Sequence, residues 1–361
     1  MENGQYVNGS LWFYAPNKVA PVVWALLFLV SGVTHAWQCM HYKCWKVTGI
    51  LPWSALIFVV GYTFREYGAF HFGNIDVFIV SLVFIYAAPP LYELSNYLIL
   101  SRILYYVPYH SPIHPGRVLT TFGILSTIIE ALNANGAAYV ANSSLSTSQQ
   151  STGKALLKAA LCLQLGVLAC FVLLATTFHL RCKKAHLFPE NLHSALLTLY
   201  ISSFLIGTRT LYRTVEYFTT SSIDFSSPTL KASDISPIMR YEWFFWVFEA
   251  SLMAANSLLL NCRHPMRYLP RDCKVYLGED GRTEVLGRGY EDSRAWWVTV
   301  LDPFDLWGMV RGRSEVRERF WETNDGERVV VTAGEVDGSR DQVGVAEKGW
   351  RGGLSGLMRS K

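Results

Sequence analysis

The sequence predicts an all-α polytopic membrane protein with seven transmembrane helices, its N-terminus outside and its C-terminus cytosolic. Three observations carry that prediction. The 361 residues are 51% hydrophobic and only 17% charged, against roughly a quarter charged in ordinary globular chains. Apolar runs long enough to cross the hydrocarbon core, which takes about 20 residues, recur through residues 19–262. Lysine and arginine gather on alternate loops. The same composition excludes a disordered chain, a fibrous chain and a small disulfide scaffold. A net charge of +4 with no basic domain gives no reason to expect nucleic acid as a partner.

The spans fall at about 19–40, 48–70, 76–100, 118–140, 155–179, 195–217 and 241–262. Their apolar runs are continuous and do not alternate with period two, so they are helices and not barrel strands. Pro52 in the second span and Pro89–Pro90 in the third are tolerated where neighbouring helices satisfy the freed carbonyls. The first span lacks a basic segment before it and is too long for a signal peptide.

Charge sets the orientation. With the N-terminus outside, the inner segments hold Lys43, Lys46, Arg102, Arg117, Arg181, Lys183, Lys184, Arg263, Arg267, Arg271 and Lys274. The outer segments hold Lys18, Lys154, Lys231 and Arg240, so eleven cations stand against four. Two N-x-S/T acceptor sequences, at Asn8 and Asn142, both fall on the outer face, Asn142 close to the end of span four. Cys44, Cys182 and Cys273 are cytosolic, Cys39 and Cys262 lie at inner helix ends, and Cys162 and Cys170 fall within span five. None is on the oxidising side, so no structural disulfide is expected.

Residues 1–18 form an extracellular N-terminus and 19–262 the seven-helix domain. Beyond it, 263–310 combines a basic collar, Arg263 to Lys274, with an aromatic stretch at 295–310 interrupted by Pro303. The collar suits anionic headgroups, and the stretch suits the membrane surface or the underside of the bundle. Residues 311–361 are charged, glycine-rich and without periodicity. They read as a mostly disordered cytosolic tail that could engage a cytosolic partner.

Intramembrane charges mark function or internal pairing. This chain places Arg65 and Glu66 in span two, Glu93 in span three, Glu130 in span four and Lys158 in span five. Span six carries Arg209, Arg213 and Glu216, and span seven carries Glu242 and Glu249. Arg209, Arg213 and Glu216 share a face at i, i+4 and i+7, Glu242, Glu249 and Asn256 repeat every seven residues, and Glu130 shares a face with Asn133. Lipid cannot satisfy these stripes, so they face one another or water. The expectation is a polar, substrate-binding cavity open toward the outer leaflet and lined by spans two, four, six and seven. Its residues are Arg65, Glu66, Glu130, Asn133, Arg209, Arg213, Glu216, Glu249 and Asn256. The competing reading is a structural ion-pair network, which the near balance of charges suits; polar glue between helices is more often serine, threonine or asparagine.

The same segments carry a recognisable pattern. They include Tyr14-Ala-Pro16, GYTFR from Gly61 to Arg65, AAPPLYELSNYLILSR ending at Arg102, and Gln164. RTLYRTVE from Arg209 to Glu216 and YEWFFWVFEASLM, followed by His264-Pro265, complete it. From Tyr14 to about Pro265 the chain thereby resembles the fungal lipid-translocating exporter family, named for resistance to an aminocholesterol. It departs from the family pattern at Ser126 and Asn133 in span four, at Trp246 and Glu249 in span seven, and at Met266. The resemblance implies a seven-span translocator of sphingoid bases or sterol-like compounds, contributing to toxic-compound tolerance. It implies membrane lipids and a lipid-like or amphiphilic substrate as partners. Glu249 and Glu130 would receive the ammonium of such a substrate, and Glu249→Gln is expected to abolish translocation without loss of folding.

A seven-span receptor or lipid sensor fits the same topology. An enzyme does not. His110 and His114 have H-x-x-x-H spacing but bracket Pro112, and His179, His186 and His193 are scattered, so no metal site is expected. No P-loop, nucleophile motif or cofactor signature is present. The plasma membrane is the default location and the vacuolar membrane the second.

Overall fold

The computed structural model describes residues 10–221 and 236–287, except 13, 72, 143, 273 and 279, together with Val298, Asp302, Trp307 and the backbone of 329–331. Long helices dominate: α1 (Ala20–His41), α3 (Ile50–Phe70), α4 (Ile75–Tyr106), α5 (Pro115–Ala141), α6 (Thr147–Lys184) and α7 (Glu190–Ser221). Short helices α2 (Trp45–Thr48) and α8 (Pro237–Arg240) lie between them. The last helix is continuous from α9 (Trp243–Phe245) through a π turn (Trp246–Ser251) into α10 (Leu252–Cys262). The chain is an all-α polytopic membrane protein. By length and composition α1, α4, α5, α6, α7 and the run Trp243–Arg267 can cross a membrane. The 21-residue α3 is absent from that group. Arg65 and Glu66 lower its apolarity, and of the two Arg65 is buried in an ion pair with Glu242.

The helices start where local chemistry dictates. Asn74 caps α4 by accepting from the Asp76 and Val77 amides, and Asp76 complements the helix dipole. Ser146 and Gln149 form a capping box at α6, whose last turn carries Arg181, Lys183 and Lys184. Pro115 occupies the first turn of α5, where its missing N–H costs nothing. These caps stand outside the apolar runs, so α6 extends over 38 residues where hydropathy alone marked 155–179.

Neighbours in sequence pack side by side, and α1 closes the bundle against α10 while α4 also reaches α7. Small residues set the closest approaches. A Cβ on Gly61 of α3 would stand 2.8 Å from Ile85 Cγ1 of α4, and one on Gly136 of α5 would stand 2.8 Å from Leu157 Cγ of α6. In lipid, such close packing replaces the hydrophobic drive that holds soluble helices together.

Beneath the bundle, β1 (Val275–Leu277), β2 (Glu284–Leu286) and β3 (Val329–Val331) form an antiparallel sheet in that order. The tail segment 311–361, read as structureless, thus contributes an edge strand; its remaining residues lie outside those described, as does most of 295–310. Within the basic collar Arg263 is half-buried, while Arg267, Arg271 and Lys274 are exposed. Arg263 donates to the Thr198 hydroxyl at 2.9 Å, and Arg267 to the Cys262 carbonyl at 3.0 Å. Arg102 of α4 reaches the Pro270 and Arg271 carbonyls at 2.6 and 3.0 Å.

Candidate functional site

Arg65 projects from α3 into a fully buried nest. Its Nη2 donates to Glu242 Oε1 at 2.9 Å and to the Tyr14 hydroxyl at 3.1 Å. Its guanidinium lies over the Phe245 and Trp246 rings at 4.1 and 5.0 Å. Glu242 is completed by the Asn17 amide at 2.9 Å, which ties the segment before α1 to the last helix. Planar stacking and forked donors together suit arginine and not lysine.

A second buried pair joins α7 to the π turn. Arg209 donates from Nε to Glu249 Oε1 and Oε2 at 2.9 and 3.0 Å, and from Nη2 to Oε1 at 2.7 Å. The two side chains are 5% and 1% exposed. Arg213 and Glu216 pair within α7, with Arg213 3.8 Å from the Tyr86 ring centroid.

The seven-residue stripe on the last helix is therefore split. Glu242 meets α3, whereas Glu249 meets α7. The π turn causes this, because it inserts an extra residue into one turn and rotates every side chain that follows. Ser251 compensates locally by donating to the Trp246 carbonyl at 2.6 Å. Asn256 is fully buried, and neither amide atom has a hydrogen-bond partner.

Arg65, Arg209 and Glu249 are thus held in buried ion pairs. Glu66 is half-buried beside Arg65, and its Oε2 has no partner. Glu130 and Asn133 lie half-buried on α5.

Two carboxylates in the middle of the bundle stand apart, because neither has an ion-pair partner among the described residues. Glu93 of α4 is 3% exposed and is held by neutral donors, Gln164 Nε2 at 2.9 Å and the Tyr97 hydroxyl at 3.4 Å. Arg209 and, less strongly, Glu130 are close enough to act on it electrostatically. Gln164 lies on the α6 face that continues through Leu168 and Val172 at i+4 and i+8. That face runs into an apolar groove of about 550 Å³ between α6 and α7, lined by Leu165, Leu168, Val172, Leu173, Ser203 and Phe204. Leu173 and Phe204 are 65% and 71% exposed, so the groove opens sideways, away from the bundle core.

This is the arrangement in which the comparisons with known proteins belong. The family description "RTA1 like protein" matches residues 52–272, more than half the chain. The chain belongs to the RTA1-like family. A "Lipid-translocating exporter-like protein RTA1" of Leptosphaeria maculans is 44% identical over 291 residues, covering 78% of this chain and 56% of that protein. A protein of the same description from Ajellomyces capsulatus is 29% identical over 73% of this chain and 83% of its own length. A "Probable lipid transporter atnI" of Emericella nidulans is 23% identical over 72% and 69%. No solved structure matches. The aligned part spans little more than half the length of the Leptosphaeria maculans relative. Among the described residues, no three His, Cys, Asp or Glu side chains gather as metal ligands.

Several polar residues of this RTA1-like bundle escaped the charge-based reading. Glu93 was named as an intramembrane charge but not as a site residue, and Gln164 only as part of a motif. Ser31, His35 and Gln38 of α1 lie at i, i+4 and i+7, and Ser257 and Asn261 of α10 at i and i+4. The periodicity that exposed the span-six stripe could have found them had neutral polar side chains been counted. Asn142 is exposed at the end of α5, with its Oδ1 accepting from Ser144; Asn8 lies outside the described residues.

Proposed function

We propose that this chain is a lipid or amphiphile translocator whose substrate combines a cationic head with a hydrocarbon tail, as a sphingoid base does. One observation carries the reading. The buried Glu93 of α4, in no ion pair among the described residues though within the field of Arg209 and Glu130, accepts from Gln164 of α6, one turn before Leu168 and the laterally open apolar groove. An ammonium would neutralise the carboxylate, which neutral donors stabilise only in part. The tail would occupy the groove between α6 and α7, of a size usual for small-molecule sites. From Gln164 to Val172 the helix rises about 12 Å at 1.5 Å per residue, a span suited to part of such a tail. The names of the Leptosphaeria maculans and Emericella nidulans relatives support lipid transport.

In this reading α3 is a seventh span, its Arg65 neutralised by Glu242 and held in the aromatic nest. The N-terminus is outside, in keeping with eleven inner and four outer cations. The protein works in the plasma membrane, where export of a toxic amphiphile protects the cell.

Liposomes containing the full chain and a fluorescent sphingoid base test the proposal. Glu93→Gln should lower leaflet exchange tenfold or more, equivalent to about 1.4 kcal/mol of lost interaction. Ala169→Trp, on the exposed wall of the groove, should do the same without changing the unfolding midpoint. A folded Glu93→Gln protein with wild-type exchange would sink the head site, and a fully active Ala169→Trp would sink the groove.

A further inference from the structure

Where α1 ends, the backbone turns back on itself and brings two cysteines together. The Cys44 amide donates to the Cys39 carbonyl at 3.1 Å, and the Lys43 amide to the Met40 carbonyl at 3.3 Å. Lys43 takes a φ of 52°, in the left-handed region that a non-glycine residue seldom enters. These are the marks of a Schellman turn, which packs the side chain of its first residue against that of its last. That contact is ordinarily apolar. Here it joins two thiols, Cys39 and Cys44, both free and both buried.

Both sulfurs reach one hydroxyl. Thr48 Oγ1 lies 3.0 Å from Cys44 Sγ and 3.3 Å from Cys39 Sγ. The His264 ring, fully buried and stacked on Tyr42 with centroids 4.9 Å apart, closes the cluster from beyond α10. Its Nδ1 accepts from the Met266 amide at 3.3 Å, which leaves the proton of the neutral ring on Nε2. That Nε2–H has no ordinary hydrogen-bond partner, yet it stands close enough to Cys44 to favour its thiolate.

The donors around the two sulfurs are unequal. With Cys44 ionised, the Cys39 S–H, the Thr48 O–H and the His264 Nε2–H can all turn toward its sulfur. With Cys39 ionised, only the Cys44 S–H and the Thr48 O–H remain, because His264 acts on Cys44 and not on Cys39. The Cys44 thiol, outside the spans, is accordingly held below its ordinary value, first by Cys39 and then, against the opposing effect of burial, by His264 and Thr48. The thiolate is the form that attacks an oxidant. Cys44 is also the less enclosed of the two, 6% exposed against 0%, and is flanked by the exposed Lys43 and Trp45. A bridge here would close a loop of residues 39–44 only, so it would restrain the unfolded chain less than a long-range disulfide does. The pairing thus offers redox chemistry more than a structural staple.

We propose that Cys39 and Cys44 form a reversible redox site, with Cys44 the thiolate that a peroxide oxidises and Cys39 the thiol that resolves it. The Cys44 sulfur attacks one oxygen of hydrogen peroxide, forming an S–O bond as the O–O bond breaks. The departing hydroxide takes up the proton that Cys44 released on ionising and leaves as water. Cys44 is then a sulfenic acid, and the two electrons it has lost have reduced the peroxide. The Cys39 sulfur next attacks the Cys44 sulfur, forming the disulfide as the S–O bond breaks. The second hydroxide leaves with the Cys39 proton, again as water. A small thiol such as glutathione reverses the change, two molecules giving up two electrons and two protons and leaving as their own disulfide. Oxidation removes the thiolate that Thr48 and His264 serve, so it acts at the junction of α1, α2 and the turn after α10. The site does not depend on the translocator reading above.

Peptide mapping of the full chain in nanodiscs tests the site. The protein is treated with hydrogen peroxide, its remaining thiols are alkylated, and trypsin then cuts after Lys43, between the two cysteines. Oxidation should yield the two peptides joined, and glutathione added before alkylation should return them separate. Dimedone, which traps sulfenic acids, should label Cys44 in Cys39→Ser at least about tenfold faster than Cys39 in Cys44→Ser. If a serine variant does not fold, the joined peptides of the unaltered chain and their reduction carry the test. Cysteines left unjoined at peroxide levels that oxidise the exposed Cys262 overturn the redox pair. Cys44 joined to Cys262 instead overturns Cys39 as the resolving thiol. Equal dimedone labelling overturns Cys44 as the nucleophile, and joined peptides that glutathione leaves intact overturn the reversibility.

Discussion

Glu249→Gln separates a structural ion pair from a substrate receptor. The substitution keeps the side-chain shape, removes the charge and leaves one carbonyl oxygen where two carboxylate oxygens now take three contacts from Arg209. Both partners are almost fully buried. Removing one member of a buried pair strands the other charge and costs about 3–5 kcal/mol. The surviving acceptor on glutamine puts this case near the lower end, about 3 kcal/mol. At about 2–4 °C per kcal/mol for a domain of this size, the unfolding midpoint should fall by roughly 6–12 °C. Tryptophan fluorescence on heating the detergent-solubilised protein, which has 12 tryptophans, reads the shift. The double variant Arg209→Met with Glu249→Met removes both charges and should recover most of the loss, since apolar replacement of a buried pair is often neutral. A wild-type midpoint for Glu249→Gln, or a double variant as unstable as the single, would refute the structural role. Any transport defect of Glu249→Gln should then track lost folding, contrary to the expectation drawn from the sequence.

Arg65→Lys should destabilise by about 1–3 kcal/mol, because an ammonium cannot pair with Glu242, reach Tyr14 and stack on Phe245 at once; an unchanged midpoint in the same assay would dismiss the nest. Gly136→Val should lower the midpoint by at least as much, since even a Cβ there falls 3.0 Å from the Gly153 carbonyl oxygen. In the turn between β1 and β2, the Asp280 carboxyl is held below its usual value of 3.8, first by the Thr283 amide and then by the Arg282 amide. A depressed carboxyl contributes stability to the β1–β2 turn above the unfolded-state value and loses it as pH falls through the lower folded-state value. The Thr283 amide proton, followed by NMR, should titrate with a midpoint below 3.8; a midpoint at or above that value would contradict the turn geometry.

Which residues were legible in the sequence follows from the range over which each interaction acts. The long helices were readable because burial in lipid demands continuous apolar runs and internally satisfied backbones, both local properties. Arg209, Arg213 and Glu216 lie on one unbroken helix, α7, so their i, i+4 and i+7 spacing carries over to the structure. Glu242, Glu249 and Asn256 were grouped by the same rule, which failed where the π turn interrupts the period. Glu93 was visible as a charge, but its lack of a cation partner was not.

The sequence by itself determined an all-α membrane protein, the position of its helices and the charges they carry, since hydropathy and capping act within a few residues. Only the tertiary structure decided that Arg65 pairs with Glu242 across 177 positions and Arg209 with Glu249 across 40. It alone gave Glu93 the Gln164 and Tyr97 donors and gathered Ser31, His35 and Tyr92 around the Ser257 hydroxyl. Partner choice depends on which helix faces meet. That is set by small residues at the closest approaches and by one irregular turn, and neither can be weighed without the packed bundle.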